Sequence, residues 1–478
     1  MKKRYSILLS FLILFSVCLT GCREDAPQTS TDPVIETPSD SSSTPTPDTP
    51  ADVPTEVPSE EPAVEPSEPS AQGVPYWWEL HDYNLDQELL ASDGEIKNLS
   101  IQLGNQPDEL FITWFSRSNS RGKVKFHREG LLNDITVKAT TEPSVSVDGY
   151  YRNSALVTGL ESNTDYTYYV KNGHSVSPTY SYHTGDLFSS DFTFTIAGDP
   201  EIGLGDPEVL PGHRSIWRVM LNRMKSQIPE SSFLLTMGDQ VADPASAVHY
   251  DYFLDNSVLY STALMPVVGN HDVGSGFFGD HFSLPNLNAI GTADGRDGNY
   301  WFTKGSVLFM VLNNPSPTHS TEHECFVEEA IQQNPDARWR VIISHYSPAS
   351  MVEKYQGAAE SVKASYAYMA KVYDIDLFLG GHDHIYTRSY LMDENFQPAS
   401  TAVESEFYNP EYPIYVIFNG ATDALLRQPD QNYPWAAVCV QNEIPQLSRA
   451  DVTDHSFTIT TYDADSWAVV DSFTIYKD

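Results

Sequence analysis

From Leu99 onward the chain alternates apolar and polar side chains in short segments: Leu99 to Leu103, Leu110 to Phe115, Val124 to Phe126, Ile135 to Ala139, Tyr151 to Leu156, Tyr166 to Val170 and Thr179 to His183. Successive side chains of a strand point to opposite faces, so a period of two with turn residues between segments predicts strands packed as an all-β sandwich. After Asp191 the rhythm changes. Phe192 to Ala197 is a continuous apolar-leaning run, and Ile216, Trp217, Met220, Leu221 and Met224 then fall on one helical face. Ser232 to Met237, Leu264 to Val268, Arg340 to Ile343 and Ile375 to Leu379 read as further strands, and Ser361 to Val372 as a helix. Ile414 to Asn419, Phe457 to Tyr462 and Ser472 to Tyr476 are the closing strands. Strands alternating with helices predict an α/β domain behind the β-rich one.

The first 75 residues follow neither rhythm. Lys2, Lys3 and Arg4 precede an apolar stretch from Ile7 to Leu19, the form of an export signal and too short to span a bilayer. Leu19-Thr20-Gly21-Cys22 follows and resembles a bacterial lipobox, which implies cleavage before Cys22 and a lipid anchor on its thiol. From Arg23 to about Val74 the chain is Pro, Ser, Thr and acids, unable to bury enough apolar surface to offset its ordering entropy, and reads as an extended tether. The expected divisions are a signal peptide at 1–21, a tether at 22–75, a sandwich at 95–186 and an α/β domain at 190–478.

Composition narrows the function. With 478 residues and 40% hydrophobic side chains, two folded domains fit behind the tether. A formal net charge of -37 argues against nucleic acid as a partner, since phosphate backbones are held by clustered Lys and Arg. An acidic enzyme acting on phosphate esters needs local positive charge, and metal cations supply it. Beyond the signal region only Cys325 and Cys439 remain, so at most one bridge is available, and two core thiols are expected.

Each buried strand of the α/β region ends in a Gly or polar turn carrying a metal-ligand residue type. These are Ala197-Gly198-Asp199, Met237-Gly238-Asp239-Gln240, Val268-Gly269-Asn270-His271-Asp272, Ile343-Ser344-His345 and Gly380-Gly381-His382-Asp383-His384. Strand ends are where α/β folds place ligands, and glycine beside a ligand allows close backbone approach. One such Asp or His is usually a turn or structural residue; five sites in one domain are hard to explain by packing.

Asp, Asp, Asn-His-Asp, His and His-x-His in this order resemble the calcineurin-like metallophosphoesterase superfamily. The preceding sandwich and Gly381-His382-Asp383-His384-Ile385-Tyr386-Thr387-Arg388 look like the purple acid phosphatases within it, and Ser154 to Tyr166 resembles the corner of a fibronectin type III sandwich. The resemblance implies a fibronectin type III-like sandwich followed by an α/β metallophosphoesterase domain of two packed β-sheets flanked by helices. It implies two metal ions, Fe, Zn or Mn, with Asp239 bridging, Asp199 and His384 completing one position, and Asn270, His345 and His382 the other. His271 is then expected beside the scissile oxygen, oriented by Asp272, while metal-bound water attacks phosphorus in line.

Three departures stand out. Purple acid phosphatases owe their colour to a tyrosine three residues after the bridging aspartate, and Ala242 stands there. The wider superfamily offers a histidine two residues after the first aspartate, and Glu201 stands there; Glu201, Gln240, Asp243 or solvent are the ways to complete that position. Where plant members carry paired histidines, this chain reads Val352-Glu353-Lys354-Tyr355. His319 and His323 read as a surface helix start, His281 as structural with the cleft wall as its alternative, and Trp217, Tyr366 and Tyr368 as core and helix-surface residues. The expected activity is an exported, membrane-tethered phosphomonoesterase acting on small phosphorylated substrates. A phosphodiesterase or nucleotide hydrolase on the same metals, or a degenerate surface binding module, are the alternatives.

Overall fold

In the computed structural model, residues 94–128, 134–205, 210–288, 295–315 and 320–478 are described. The export segment, Cys22, the tether and His319 lie outside them. All seven alternating segments are strands: Ile96–Leu103, Leu110–Ser116, Lys123–Arg128, Ile135–Lys138, Tyr151–Val157, Asp165–Asn172 and Tyr180–His183. Two short strands missed in the sequence, Thr140–Pro143 and Ser175–Val176, complete a sandwich of a four-stranded and a five-stranded sheet. Its core carries Trp114, whose indole N–H donates to Asn172 Oδ1 at 2.7 Å, and Phe126 stacked on Tyr168. A buried indole keeps such a partner because an unmade bond there is costly.

Behind it stand two seven-stranded mixed sheets. In the first, Phe192–Ala197 runs parallel to Ser231–Thr236 and antiparallel to Gln446–Val452, and Ala263–Pro266 extends the parallel edge. In the second, Val307–Leu312, Trp339–Ser344, Leu377–Gly380 and Ile414–Ile417 are successive parallel neighbours. Every residue of Phe192–Ala197 is buried, as expected of a strand covered on both faces. The sheets meet through Phe194, Phe233, Phe302, Phe309 and Phe457 in stacked and edge-on pairs. Each buried phenylalanine contributes about 2–3 kcal/mol from removing its surface from water. Helices Ser320–Gln333 and Gln356–Tyr373 cover the outer face of the second sheet through Phe326, Val327 and Met369, and helix Leu210–Gln227 stacks Trp217 on Phe253 of helix Ala247–Leu254.

The sandwich is clamped to the α/β domain by polar contacts. Asp251 accepts from Lys97 Nζ and Asn98 Nδ2 at 2.8 Å, and Tyr168 donates to Tyr260 O at 2.6 Å. The buried Asp280 carboxylate accepts from the Ser144 and Ser146 hydroxyls and from the Val145 and Ser146 amides. This clamp holds the helix Phe277–His281, just beyond the Asn270-His271-Asp272 loop, and so braces that side of the site.

The two histidine expectations divide here: His281 is structural, as expected, and His323 is corrected. His281 does not line the cleft: it is fully buried at the domain junction, its ring stacked on Tyr250, its Nδ1–H donating to Phe277 O at 2.8 Å while Nε2 meets the Asn98 amide at 3.3 Å. His323 lies in the helix start expected, but that face turns inward and buries it. Cys325 and Cys439 are half-buried and not bridged to each other.

Burial pushes both His281 and His323 down to about 4. The unfolded chain takes up a proton at each near pH 6.5 and the folded chain only near pH 4, so acidification through that window favours unfolding, by up to about 3 kcal/mol per histidine. Urea unfolding should show a lower midpoint at about pH 5 than near neutrality, less so in His281→Phe; equal wild-type midpoints at both would contradict neutral burial.

Candidate metal centre

Parallel strands deliver their C-terminal ends to one edge, where the loops converge. Asp199 follows Phe192–Ala197, Asp239 follows Ser231–Thr236, and Asn270 follows Ala263–Pro266; His345 directly follows Trp339–Ser344, and His382 and His384 follow Leu377–Gly380. Two glycines make the convergence possible. A Cβ on Gly269 would collide with the Asp239 carboxylate, and one on Gly381 with that of Asp199. Glu201, Asp239, His382 and His384 all have positive φ, between 42° and 74°, which side chains other than glycine rarely adopt. Such backbone persists only where surrounding contacts enforce it, and it clusters at functional sites.

All six residues expected as metal ligands come together. His345 Nε2 lies 2.9 Å from Asn270 Oδ1, 3.2 Å from Asp239 Oδ2 and 3.2 Å from His382 Nδ1. Its other nitrogen, Nδ1, donates to Met237 O at 2.9 Å, fixing the ring with Nε2 inward. On the other side His384 Nε2 is 3.2 Å from Asp199 Oδ2 and 3.3 Å from Glu201 Oε2. Asp239 sits between the groups, its Oδ1 accepting the His271 amide at 2.8 Å. The His271 ring stands at the mouth, Nδ1–H donating to Ala242 O at 2.8 Å and Nε2 3.4 Å from Glu201 Oε1.

Residues 182–386 match the family model of the calcineurin-like phosphoesterases, and residues 96–184 match that of the purple acid phosphatase N-terminal domain. The chain thus carries a calcineurin-like phosphoesterase domain behind a purple acid phosphatase N-terminal domain. Among solved structures, a purple acid phosphatase from yellow lupin (Lupinus luteus) seeds aligns with a TM-score of 0.64 at 16% identity, covering 80% of this chain and 75% of that one. A structure of PhoD aligns with a TM-score of 0.55 at 13% identity, covering 79% and 92%. Similarity at such identities establishes the fold. Uncharacterized proteins from two strains of Mycobacterium tuberculosis are 22% identical over 334 residues, 62% of this chain, and the chain spans 62% of their length.

The site where these loops converge has the donor chemistry of a cation centre. An imidazole nitrogen carries at most one proton, so the three polar atoms converging on His345 Nε2 cannot all be satisfied by it. Asp199 Oδ1 and Glu201 Oε2 are buried and accept no hydrogen bond. Among the described residues the ion-pair partners of Asp199, Glu201 and Asp239 are all histidines. Burial works against a charge on His345, but Asp239 and Asp199 prevail and hold it up to about 10. Burial likewise opposes a charge on His384, and Glu201 and Asp199 raise it nonetheless. Burial and the neighbouring His345 push His382 down, so it stays neutral. Carboxylates that draw protons onto imidazoles are poised to exchange those protons for a metal.

Three expectations change. Asp272 does not orient the His271 ring; its carboxylate accepts from the Gly269 amide at 2.9 Å and from the Gln240 backbone and side chain at 3.1 Å, tying together the two loops that carry Asn270 and Asp239. Ala242 O orients His271 instead. Gln240 and Asp243 point away, the first bonded to Thr236, Val267 and Asp272, the second exposed and capping Ala245, whereas Glu201 points in. Finally, Val352 to Tyr355 lacks the paired histidines yet reaches the site. The Tyr355 ring centroid lies 4.0 Å from that of His382, and the Arg427 guanidinium lies over Tyr355 at 5.2 Å. Nothing local in the sequence signals Arg427.

Removing Asp272 strands three donors. Asp272→Ala should cost about 3 kcal/mol of stability, read as a lower melting temperature, and reduce bound metal. A variant with full metal content and only a shifted pH–rate profile would restore the role of orienting His271.

Proposed function

We propose that the protein is an exported, lipid-anchored phosphatase that hydrolyses phosphate monoesters of small molecules outside the cell, with two metal ions held by Asp199, Asp239, Asn270, His345, His382 and His384. The observation that carries the catalytic part is the convergence of Asp239, Asn270 and His382 on His345 Nε2, with the His271 ring beside it. Export and anchoring rest on the basic start, the short apolar stretch, Cys22 and the tether that follows. Fe, Zn and Mn suit the mixed oxygen and imidazole donors, and with Ala242 in place of tyrosine an iron form should lack the purple chromophore. Bound metal ions would neutralise phosphate oxygens and activate water near neutral pH.

The protein's own residues do the rest. With His271 Nδ1–H committed to Ala242 O, Nε2 is the atom free to exchange a proton with substrate. Burial would lower the pKa of His271, but Asp239 and Glu201 outweigh it and raise it, which favours a proton at Nε2. That proton suits the leaving oxygen. Tyr355 forms a wall against His382, and Arg427 over its ring supplies local positive charge in a chain of net charge -37, where it favours an anionic substrate.

Purified protein should hydrolyse an aryl phosphate and lose that activity on chelation and in Asp239→Ala; activity surviving both would sink the metal reading. Faster turnover of a diester than of a monoester would replace the monoesterase by a phosphodiesterase, and an inactive protein under every added metal would favour a binding module. His271→Gln should lower kcat by about 10²–10⁴ and remove the loss of activity that sets in with rising pH as His271 deprotonates.

A further inference from the structure

We infer that Glu201 is the fourth protein ligand of the first metal position, a carboxylate where related enzymes use histidine or tyrosine, and that it makes this position select a harder cation than the second. The inference rests on the two-metal reading above and decides how the thinner half of the site is completed.

The geometry singles out Glu201. It is only 2% exposed, Oε2 lies 3.3 Å from His384 Nε2, and Oε1 lies 3.4 Å from His271 Nε2. Oε2 accepts no hydrogen bond. Ala242, at the position of the expected tyrosine, has no donor side chain, and Gln240 and Asp243 are committed elsewhere. The backbone enforces the placement: the Glu201 amide donates to Asp239 O at 2.7 Å, Ile202 pairs with Val241, and φ of Glu201 is 42°. A glutamate held in left-handed backbone, buried beside two other carboxylates, carries about 1 kcal/mol or more of strain on top of charge repulsion. A cation shared among the three oxygens offsets both.

The two positions then differ in kind. Asp199, Glu201, the shared Asp239 and His384 give three carboxylates and one imidazole; Asn270, His345, His382 and the shared Asp239 give one carboxylate, one amide oxygen and two imidazoles. Carboxylate-rich sites suit Mn(II), and imidazole-rich sites suit Zn(II). The first position should therefore hold Mn(II) in competition with Zn(II) better than the second.

Metal counting by mass spectrometry after loading with Mn(II), Zn(II) or both and desalting tests this on the whole exported chain. Wild type should hold two ions. Glu201→Gln, which keeps size and hydrogen bonding but loses charge, should hold about one, with Mn(II) affinity at the weaker position reduced on the order of tenfold or more. Glu201→His should hold two and lower the Mn-to-Zn ratio by a similar factor. Circular dichroism reports whether each variant folds, and the histidine variant decides alone if the glutamine variant does not. Two ions in Glu201→Gln with unchanged Mn(II) affinity, or an unchanged ratio in Glu201→His, would overturn the inference while leaving the two-metal reading intact. A wild type that holds no metal would overturn that reading, and this inference with it.

Discussion

Three carboxylates, those of Asp199, Glu201 and Asp239, are buried against one another with only histidines as ion-pair partners among the described residues. Mutual repulsion in a poorly solvated site is expensive, and much of the surrounding construction serves to hold it. Glycines at 269 and 381 give up side chains so that the carboxylates fit, and four residues accept left-handed backbone. Met237 O and Ala242 O orient His345 and His271, leaving one ring nitrogen of each facing the carboxylates. The repulsion is relieved by positive charge, from protons on His345 and His384 or from metal ions. That dependence is the physical basis of the proposed chemistry.

The rest of the molecule braces this edge. The phenylalanines between the two sheets fix the strands whose ends carry the ligand residues. The Asp280 clamp and the buried His281 join the sandwich to the element next to the Asn270-His271-Asp272 loop, so the N-terminal domain supports the loop that carries both Asn270 and His271. Its role is read as support, since none of the site residues described comes from it. Asp272 extends the same principle inward: a carboxylate one residue from His271 acts on the loops and not on the ring.

Alternation made the sandwich legible, because strands such as Asp165–Asn172 keep one face buried and the other toward solvent. Thr140–Pro143 escaped because its exposed ends flank a half-buried middle and do not alternate, and Ser175–Val176 because two residues carry no period. Gln446–Val452 escaped for another reason: its polar Gln446 and Ser448 are buried, Ser448 paired with the Thr461 hydroxyl on the neighbouring strand, so the sequence looks like loop where the sheet is covered. The cluster of candidate ligands was legible because five strand ends repeat one arrangement of glycine or polar turn and donor. Glu201 was visible as a departure, but choosing it over Gln240 and Asp243 required knowing which side chains turn away. Arg427 reaches Tyr355 only through the fold, and His323 misled because a place at a helix start does not tell which way a ring points.

The most direct measurement is an anomalous-difference map from crystals of the metal-loaded protein. Two peaks about 3.5–4 Å apart are expected, one against Asp199, Glu201 and His384, the other against Asn270, His345 and His382, with Asp239 between them. A map without two peaks there, or with metal bound elsewhere in the chain, would contradict the account.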